Sequence, residues 1–242
     1  MEETNITQST KRIAVVTGAN KGIGLEICKQ LASNGVTVIL TARDKNKGLD
    51  VVQNLKASGL SDILFHHLDV MNEASIASLT EFIRSKFKKL DILVNNAGVV
   101  GVVVDPEISS VEYDSETYVS HEKAKKTLSD SDGLTVEKVD EVVKWLQDDL
   151  REDLPEAKGW PINVSAYILS KAALNGYTRV MAKKYPKIAI NAVCPGFVKT
   201  DLNYNKGFFT VEQGAKGPVM LALMPNGSPS GLFYFQTKES TF

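Results

Sequence analysis

The sequence predicts an α/β fold, a doubly wound parallel sheet with helices on both faces, and three observations carry that expectation. Short β-branched runs alternate with longer segments of helical period through the first hundred residues. The runs are apolar throughout, as strands covered on both faces must be, and each ends on a turn or polar residue. The strands are placed at Ile13–Val16, Val36–Leu40, Ile63–Leu68 and Ile92–Val94. Between them Ile23, Ile27 and Leu31 repeat every four residues, Leu49, Val52 and Leu55 every three, and Ile76, Leu79, Ile83 and Phe87 form a third helical stripe. Asn72 is placed to cap that third helix, with Glu73 in the first turn, where the helix dipole favours an acid. Strand, helix and strand repeated without interruption imply right-handed crossovers and one open parallel sheet.

The later part is less regular. Residues 105–133 are polar and charged without a strand pattern. Val139, Val142, Val143, Leu146 and Leu150 mark an amphipathic helix from about Leu134 that ends before Pro155, and Tyr167 to Tyr185 reads as a second helix stopped at Pro186. A strand is expected at Ile188–Val193, a capping box at Thr210-Val211-Glu212-Gln213 should open a last helix, and Leu232–Phe235 reads as a final strand.

Composition narrows the function classes. The 242 residues suit one domain, 43% are hydrophobic and the formal net charge is −1. No basic excess supports nucleic-acid binding, and no apolar run approaches the roughly 18 residues of a membrane span. Met1 to Lys11 is polar, so no secretory signal is expected and a cytoplasmic setting fits. Cys28 and Cys194 read as small buried hydrophobes, His66 and His67 as packing residues in a strand, and His121 as a loop residue. Nothing has metal-ligand spacing.

The first strand runs into Thr17-Gly18-Ala19-Asn20-Lys21-Gly22-Ile23-Gly24, and a helix follows. Glycines let the backbone turn tightly against a pyrophosphate, and the helix N-terminus offers unpaired N–H groups to the anion, which is the Rossmann arrangement for a dinucleotide. The second strand ends Leu40-Thr41-Ala42-Arg43-Asp44. An acid at that end would bond the ribose 2′-hydroxyl of NAD, whereas Arg43 together with Lys21 would hold the 2′-phosphate of NADP. The competing account leaves both cations solvated and lets Asp44 neutralise Arg43.

Beyond the glycine turn, Asp69-Val70 follows the third strand, Asn95-Asn96-Ala97-Gly98 the fourth, Tyr167-Ile168-Leu169-Ser170-Lys171 opens a helix, and Pro195-Gly196-Phe197-Val198-Lys199-Thr200 follows a strand. In this order, over most of the chain, these motifs resemble the short-chain dehydrogenase/reductase family. More narrowly they resemble its plant menthone, neomenthol and salutaridine reductase branch. The resemblance implies that Gly18, Asn20, Lys21, Gly22, Ile23, Gly24 and Arg43 bind NADPH. Asp69 and Val70 would meet the adenine, and Asn95, Ala97 and Gly98 would line the cofactor. Pro195, Gly196, Val198 and Thr200 would hold the nicotinamide carboxamide. Tyr167 would donate a proton to a carbonyl oxygen and contact the cofactor, Lys171 would support it and bind the nicotinamide ribose, and the substrate would be a small apolar ketone or alcohol of terpenoid or alkaloid kind. A monomer is implied. Tyr167 and Lys171 lie four apart and so share a helix face, and an ammonium near a phenol favours the phenolate.

The resemblance also implies a serine at the end of a further central strand and an asparagine on the helix before it, both between Gly98 and Tyr167. Neither is found. The inserted flap of the plant branch is kept within about residues 105–160, its core from His121 to Trp160, and a helix and strand are missing near Tyr118-Val119-Ser120, a junction like an exon skip or an edited gene model. Ile162-Asn163-Val164-Ser165 imitates the strand, but Ser165 stands two residues from Tyr167, where a helix turns it to another face. A missing central strand leaves backbone groups unpaired at about 1–3 kcal/mol each, against a stability margin of about 5–15 kcal/mol. The expected outcome is a sheet lacking one strand and its preceding helix, and either weak reductase activity or a non-catalytic nucleotide-binding isoform.

Overall fold

The structure, a computed structural model, describes residues 11–99, 119–161 and 165–241. These group into two compact units, one of Met1–Gly98 with Val198–Asp201 and Gly207–Leu223, the other of Val99–Phe197, Leu202–Lys206 and Met224–Phe242.

The first unit is the expected parallel sheet. Strands β1 (Ile13–Val16), β2 (Thr37–Ala42), β3 (Ile63–His67) and β4 (Ile92–Val94) lie in the order β3-β2-β1-β4. Ile13 sits opposite Thr37, and Ala14 opposite both Val38 and Ile92. Side chains of a strand point alternately to the two faces, and the core divides accordingly. Ala14, Val16, Val38 and Leu40 pack with Ile27 and Leu31 of α1 (Gly22–Ser33), Val52 and Leu55 of α2 (Lys45–Ala57) and Ala215 and Val219 of α7 (Val211–Leu223). Ile13, Val15 and Ile39 face the other way, onto Leu68 and onto Leu79 of α3 (Glu73–Phe87). Both faces of β1 and β2 are buried, which is why those strands carry no polar alternation. Leu93 of β4, on the same face as Val15, is 54% exposed. The second edge of β4 has no strand partner among the described residues.

The caps follow the sequence chemistry. Asn72 accepts from the Ser75 amide at 3.0 Å. Thr210 and Gln213 bond reciprocally, the Gln213 side chain accepting from the Thr210 amide at 2.9 Å. Asp44 caps α2 by accepting from the Lys47 amide at 3.0 Å, and that bond, with the charge of Lys47, holds its carboxyl below the usual range. A lowered folded pKa stabilises above the ordinary carboxylate value and is lost as pH falls through the lowered one. Asp44→Asn, which keeps a capping oxygen, should therefore be less stable than the parent in urea melts at pH 7, and the difference should shrink as pH falls below the ordinary carboxylate range.

The second unit is helical with a small sheet. α4 (Glu122–Ser129), α5 (Val136–Arg151) and α6 (Ser165–Lys184) share a core of Ala124, Leu128, Val139, Val142, Leu146, Leu169 and Ala173. β5 (Ala192–Cys194) pairs parallel with β6 (Phe233–Phe235), which pairs antiparallel with β7 (Lys238–Ser240). The other edge of β5 has no partner among the described residues.

Several expectations are corrected. β2 runs to Ala42, and β3 stops at His67. β5 begins at Ala192, not Ile188, which is 57% exposed. α4 lies inside the stretch expected to be irregular, because only Ala124 and Leu128 mark its buried side. β7 was not expected, since Lys238-Glu239-Ser240 is fully polar and exposed. His121 is not a bare loop residue. It caps α4, accepting from the Ala124 amide at 3.1 Å, and stacks on Trp160 at 4.1 Å between ring centroids. Trp160 is a core residue whose indole N–H donates to Asp149 at 2.7 Å. Cys28 is buried as expected, its thiol pKa pushed up by burial, whereas Cys194 is only half-buried. The Tyr118 side of the expected junction and residues 162–164 lie outside the described residues.

Candidate dinucleotide site and the tyrosine-lysine pair

The site in the first unit is built at the carboxyl ends of β1, β2 and β4. Thr17 ends β1 and is buried. Its hydroxyl accepts from the amides of Asn96 at 3.0 Å and Ala97 at 2.9 Å, while the Asn96 side-chain N–H donates to the carbonyls of Thr17 at 2.9 Å and Gly18 at 3.2 Å. The asparagine motif after β4 thus grips the glycine turn after β1 through side chain and backbone together. Gly18 takes φ +62, and a Cβ there would lie 2.9 Å from the Ala97 Cα. A Cβ on Gly24 would lie 2.4 Å from the Asn96 amide nitrogen and 2.9 Å from the Gly18 carbonyl. Only glycine fits either position. Asn20 is half-buried within the turn.

At the head of α1, Lys21 occupies the cap position in extended geometry and its side chain makes no cap hydrogen bond. The first-turn amides of Gly22, Ile23 and Gly24 therefore have no side-chain acceptor at the cap, and the dipole of a twelve-residue helix points its positive end there. These features fit a diphosphate. Lys21 is not simply solvated, because its ammonium lies 2.8 Å from Asp201 and holds that carboxyl below the usual range. Both partners are about two-thirds exposed, so the pair is weak enough for an anion to displace.

Arg43 lies just beyond β2, exposed, and makes no hydrogen bond or ion pair among the described residues. Asp44 does not neutralise it; that carboxylate is turned to the α2 cap and to Lys47 at 3.7 Å. Arg43 borders a cavity of about 490 Å³ together with His66, His67, Asp69, Asn72 and Ser75. Asp69 is fixed by its own turn, accepting from the Met71 amide at 3.0 Å and donating its amide to the Ser75 hydroxyl at 2.9 Å, while Val70 is 44% exposed. Asn95, Ala97 and Gly98 are exposed past β4. Val198 is buried and bridges to Phe209, and Thr200 is the nearest side chain to Gly22.

In the second unit, Pro195 and Gly196 follow β5, with Gly196 at φ +81. Tyr167 and Lys171 sit one turn apart near the start of α6, and the Lys171 ammonium lies 5.4 Å from the Tyr167 ring centroid. Ser165 is the first residue of that same helix, not the end of a strand.

The resemblance implies that the asparagine motif steadies the central sheet as well as lining the cofactor, but it does not single out Thr17 and Asn96 as the pair that bond to each other. The signal was present, since both stand inside the two motifs, but a motif names its members without saying which bond to the cofactor and which to each other.

The profile of the short chain dehydrogenase family matches residues 12–121 and 157–207. The break between the two matches contains α4 and α5. The (+)-neomenthol dehydrogenase of Arabidopsis thaliana is 43% identical to this chain, over 98% of the chain and 100% of the relative. That alignment runs over 296 positions against a chain of 242 residues, so the relative carries residues with no counterpart here. A rat carbonyl reductase [NADPH] 3 is 35% identical over 90% of the chain and 92% of its own length. The solved structure of salutaridine reductase from Papaver somniferum superposes with a TM-score of 0.86 at 41% identity, covering 93% of this chain and 99% of that one. With the glycine turn, the asparagine motif that grips it and the helical tyrosine-lysine pair all present, this chain belongs to the short-chain dehydrogenase family.

Proposed function

We propose that this protein is an NADPH-dependent reductase of a small apolar ketone. The observation that carries the reading is the glycine turn, closed by Asn96 and Thr17, beside an Arg43 that no acid among the described residues neutralises. Gly18, Asn20, Lys21, Gly22, Ile23 and Gly24 hold the diphosphate, Arg43 takes the 2′-phosphate, and Asp69 and Val70 take the adenine. Asn95, Ala97, Gly98, Pro195, Gly196, Val198 and Thr200 complete the cofactor site. When bound, the dihydronicotinamide supplies the hydride. Tyr167 gives its phenolic proton to the carbonyl oxygen, so that a ketone becomes an alcohol, and Lys171 draws that proton's negative partner, the phenolate, toward stability. The chain acts as a cytoplasmic monomer, one domain carrying about residues 105–160 as an insert, and the gap in the family match at α4 and α5 supports that insert.

Titration of the purified chain with NADPH and NADH tests the cofactor reading. Arg43→Ala should weaken NADPH binding about ten- to hundredfold, the range of one or two charge-assisted hydrogen bonds, and leave NADH within about twofold. Equal losses for both nucleotides would remove Arg43 from the 2′-phosphate.

A second reading, a nucleotide-binding isoform without turnover, is favoured by one observation. β4 and β5 each have an edge without a strand partner among the described residues, and the carbonyl-orienting serine expected from a strand there has not been found. Saturable NADPH binding without reduction of menthone or a related ketone would select it.

A further inference from the structure

The cavity beside Arg43 contains a second group that can become cationic. His66 and His67 end β3, and both border the same space. They are not the packed core residues that the strand pattern suggests: His66 is half-buried and His67 exposed. Their surroundings differ. In the parallel ladder Thr41 lies opposite His66 and Ala42 opposite His67. Thr41 and His66 therefore share one face of the sheet and Ala42 and His67 the other, and Arg43 follows directly after β2. The His66 Nδ1 lies 2.7 Å from the His67 carbonyl, an acceptor only, so Nδ1 carries the hydrogen and donates. The ring is seated against Phe82 of α3 at 5.0 Å between centroids. With Nδ1 occupied, Nε2 is the nitrogen left to serve a ligand. Neutral, it is an acceptor and repels a phosphate oxygen; protonated, it is a charged donor.

Resting on the NADPH reading above, we propose that His66 is a specificity-determining residue for the phosphorylated nucleotide, a second contact to the 2′-phosphate beside Arg43 that operates when its imidazole is protonated. The groups around it fit an anion. Arg43, just past β2, borders the same cavity, and α3 brings Ser75 and Ser78 to its wall. The Ser75 hydroxyl already accepts from the Asp69 amide, which leaves its hydrogen to donate. The opposing charge is Asp69, whose carboxylate is engaged by the Met71 amide. His67 borders the same cavity as a second titratable group, Glu73 lies in the first turn of α3, and Lys86 stands over the Phe82 ring at 5.6 Å. A cavity of about 490 Å³ is ample for a phosphate.

The test is fluorescence titration of the full chain with NADPH and with NADH at pH 6 and pH 8, using the parent, His66→Gln and His67→Gln. Glutamine keeps hydrogen-bonding capacity but cannot gain charge. The 2′-phosphate itself gains a proton over this range, so the informative quantity is each variant's NADPH-to-NADH affinity ratio relative to the parent at the same pH. His66→Gln should lower that ratio on the order of fivefold at pH 6 and leave it unchanged at pH 8. His67→Gln should leave it unchanged at both. An equal ratio for His66→Gln and parent at pH 6, with NADPH still bound by both, overturns the role of His66 and spares the cofactor reading. A parent that binds no NADPH overturns both.

Discussion

Tyr167→Phe should abolish ketone reduction, by about 10²- to 10⁴-fold in turnover, while NADPH affinity stays within about twofold. The substitution removes one hydroxyl from a half-buried ring near the start of α6 and keeps the ring beside which Lys171 lies at 5.4 Å. The hydroxyl goes and with it the transferable proton, so a carbonyl oxygen gaining negative charge has no donor at that position. Single-turnover and steady-state assays with menthone, alongside nucleotide titration, separate the steps. A variant that reduces the ketone at the parent rate would remove Tyr167 from the chemistry. Should the parent itself bind NADPH and turn nothing over, the non-catalytic reading replaces the reductase, and Tyr167→Phe becomes silent in both measurements.

The second large effect belongs to Gly18. With φ at +62, any other side chain costs about 1–2 kcal/mol in backbone strain, and here a Cβ would also press on the Ala97 backbone at 2.9 Å. The neighbour is main chain held to the Thr17 hydroxyl and cannot swing aside as a side chain could. Gly18→Ala should therefore open the turn, with NADPH binding weakened at least about tenfold and stability lowered by about 1–2 kcal/mol or more. Gly35→Ala is the control. Gly35 also has positive φ, at +76, but a Cβ there meets nothing within 4 Å. It should share the strain and not the loss of binding. If both variants bind NADPH alike, crowding at Ala97 does not shape the site.

The half of the fold written in short, repeated units was legible. Strands β1 and β4 fall where their apolar runs are, and β2 and β3 shift by one or two residues at their ends. Asn72, Thr210 and Gln213 cap as their spacing implies, because these signals are local: a cap reaches three residues, and a buried strand displays its burial in its own composition. The later half resisted for the opposite reason. α4 shows only Ala124 and Leu128 to the core, β7 is polar and gains its place from pairing with β6, and β5 is shorter than its apolar run because Ile188 is exposed. Each depends on partners distant in sequence.

The site divides along the same line. The chemistry of the glycine turn, the tyrosine-lysine spacing and Arg43 could be named from residue types, since helix geometry and the need for positive φ constrain which residues can serve. Tertiary structure alone decided which polar groups are already taken: Asp44 by the α2 cap, Lys21 by Asp201, Asn96 and Thr17 by one another, Trp160 by the core of the helical unit. A hydrogen bond is set by ångström-scale distances between segments that lie far apart in the chain, for example Thr17 and Asn96. Local pattern holds no record of those distances, so the sequence names the donors and acceptors and folding assigns their partners.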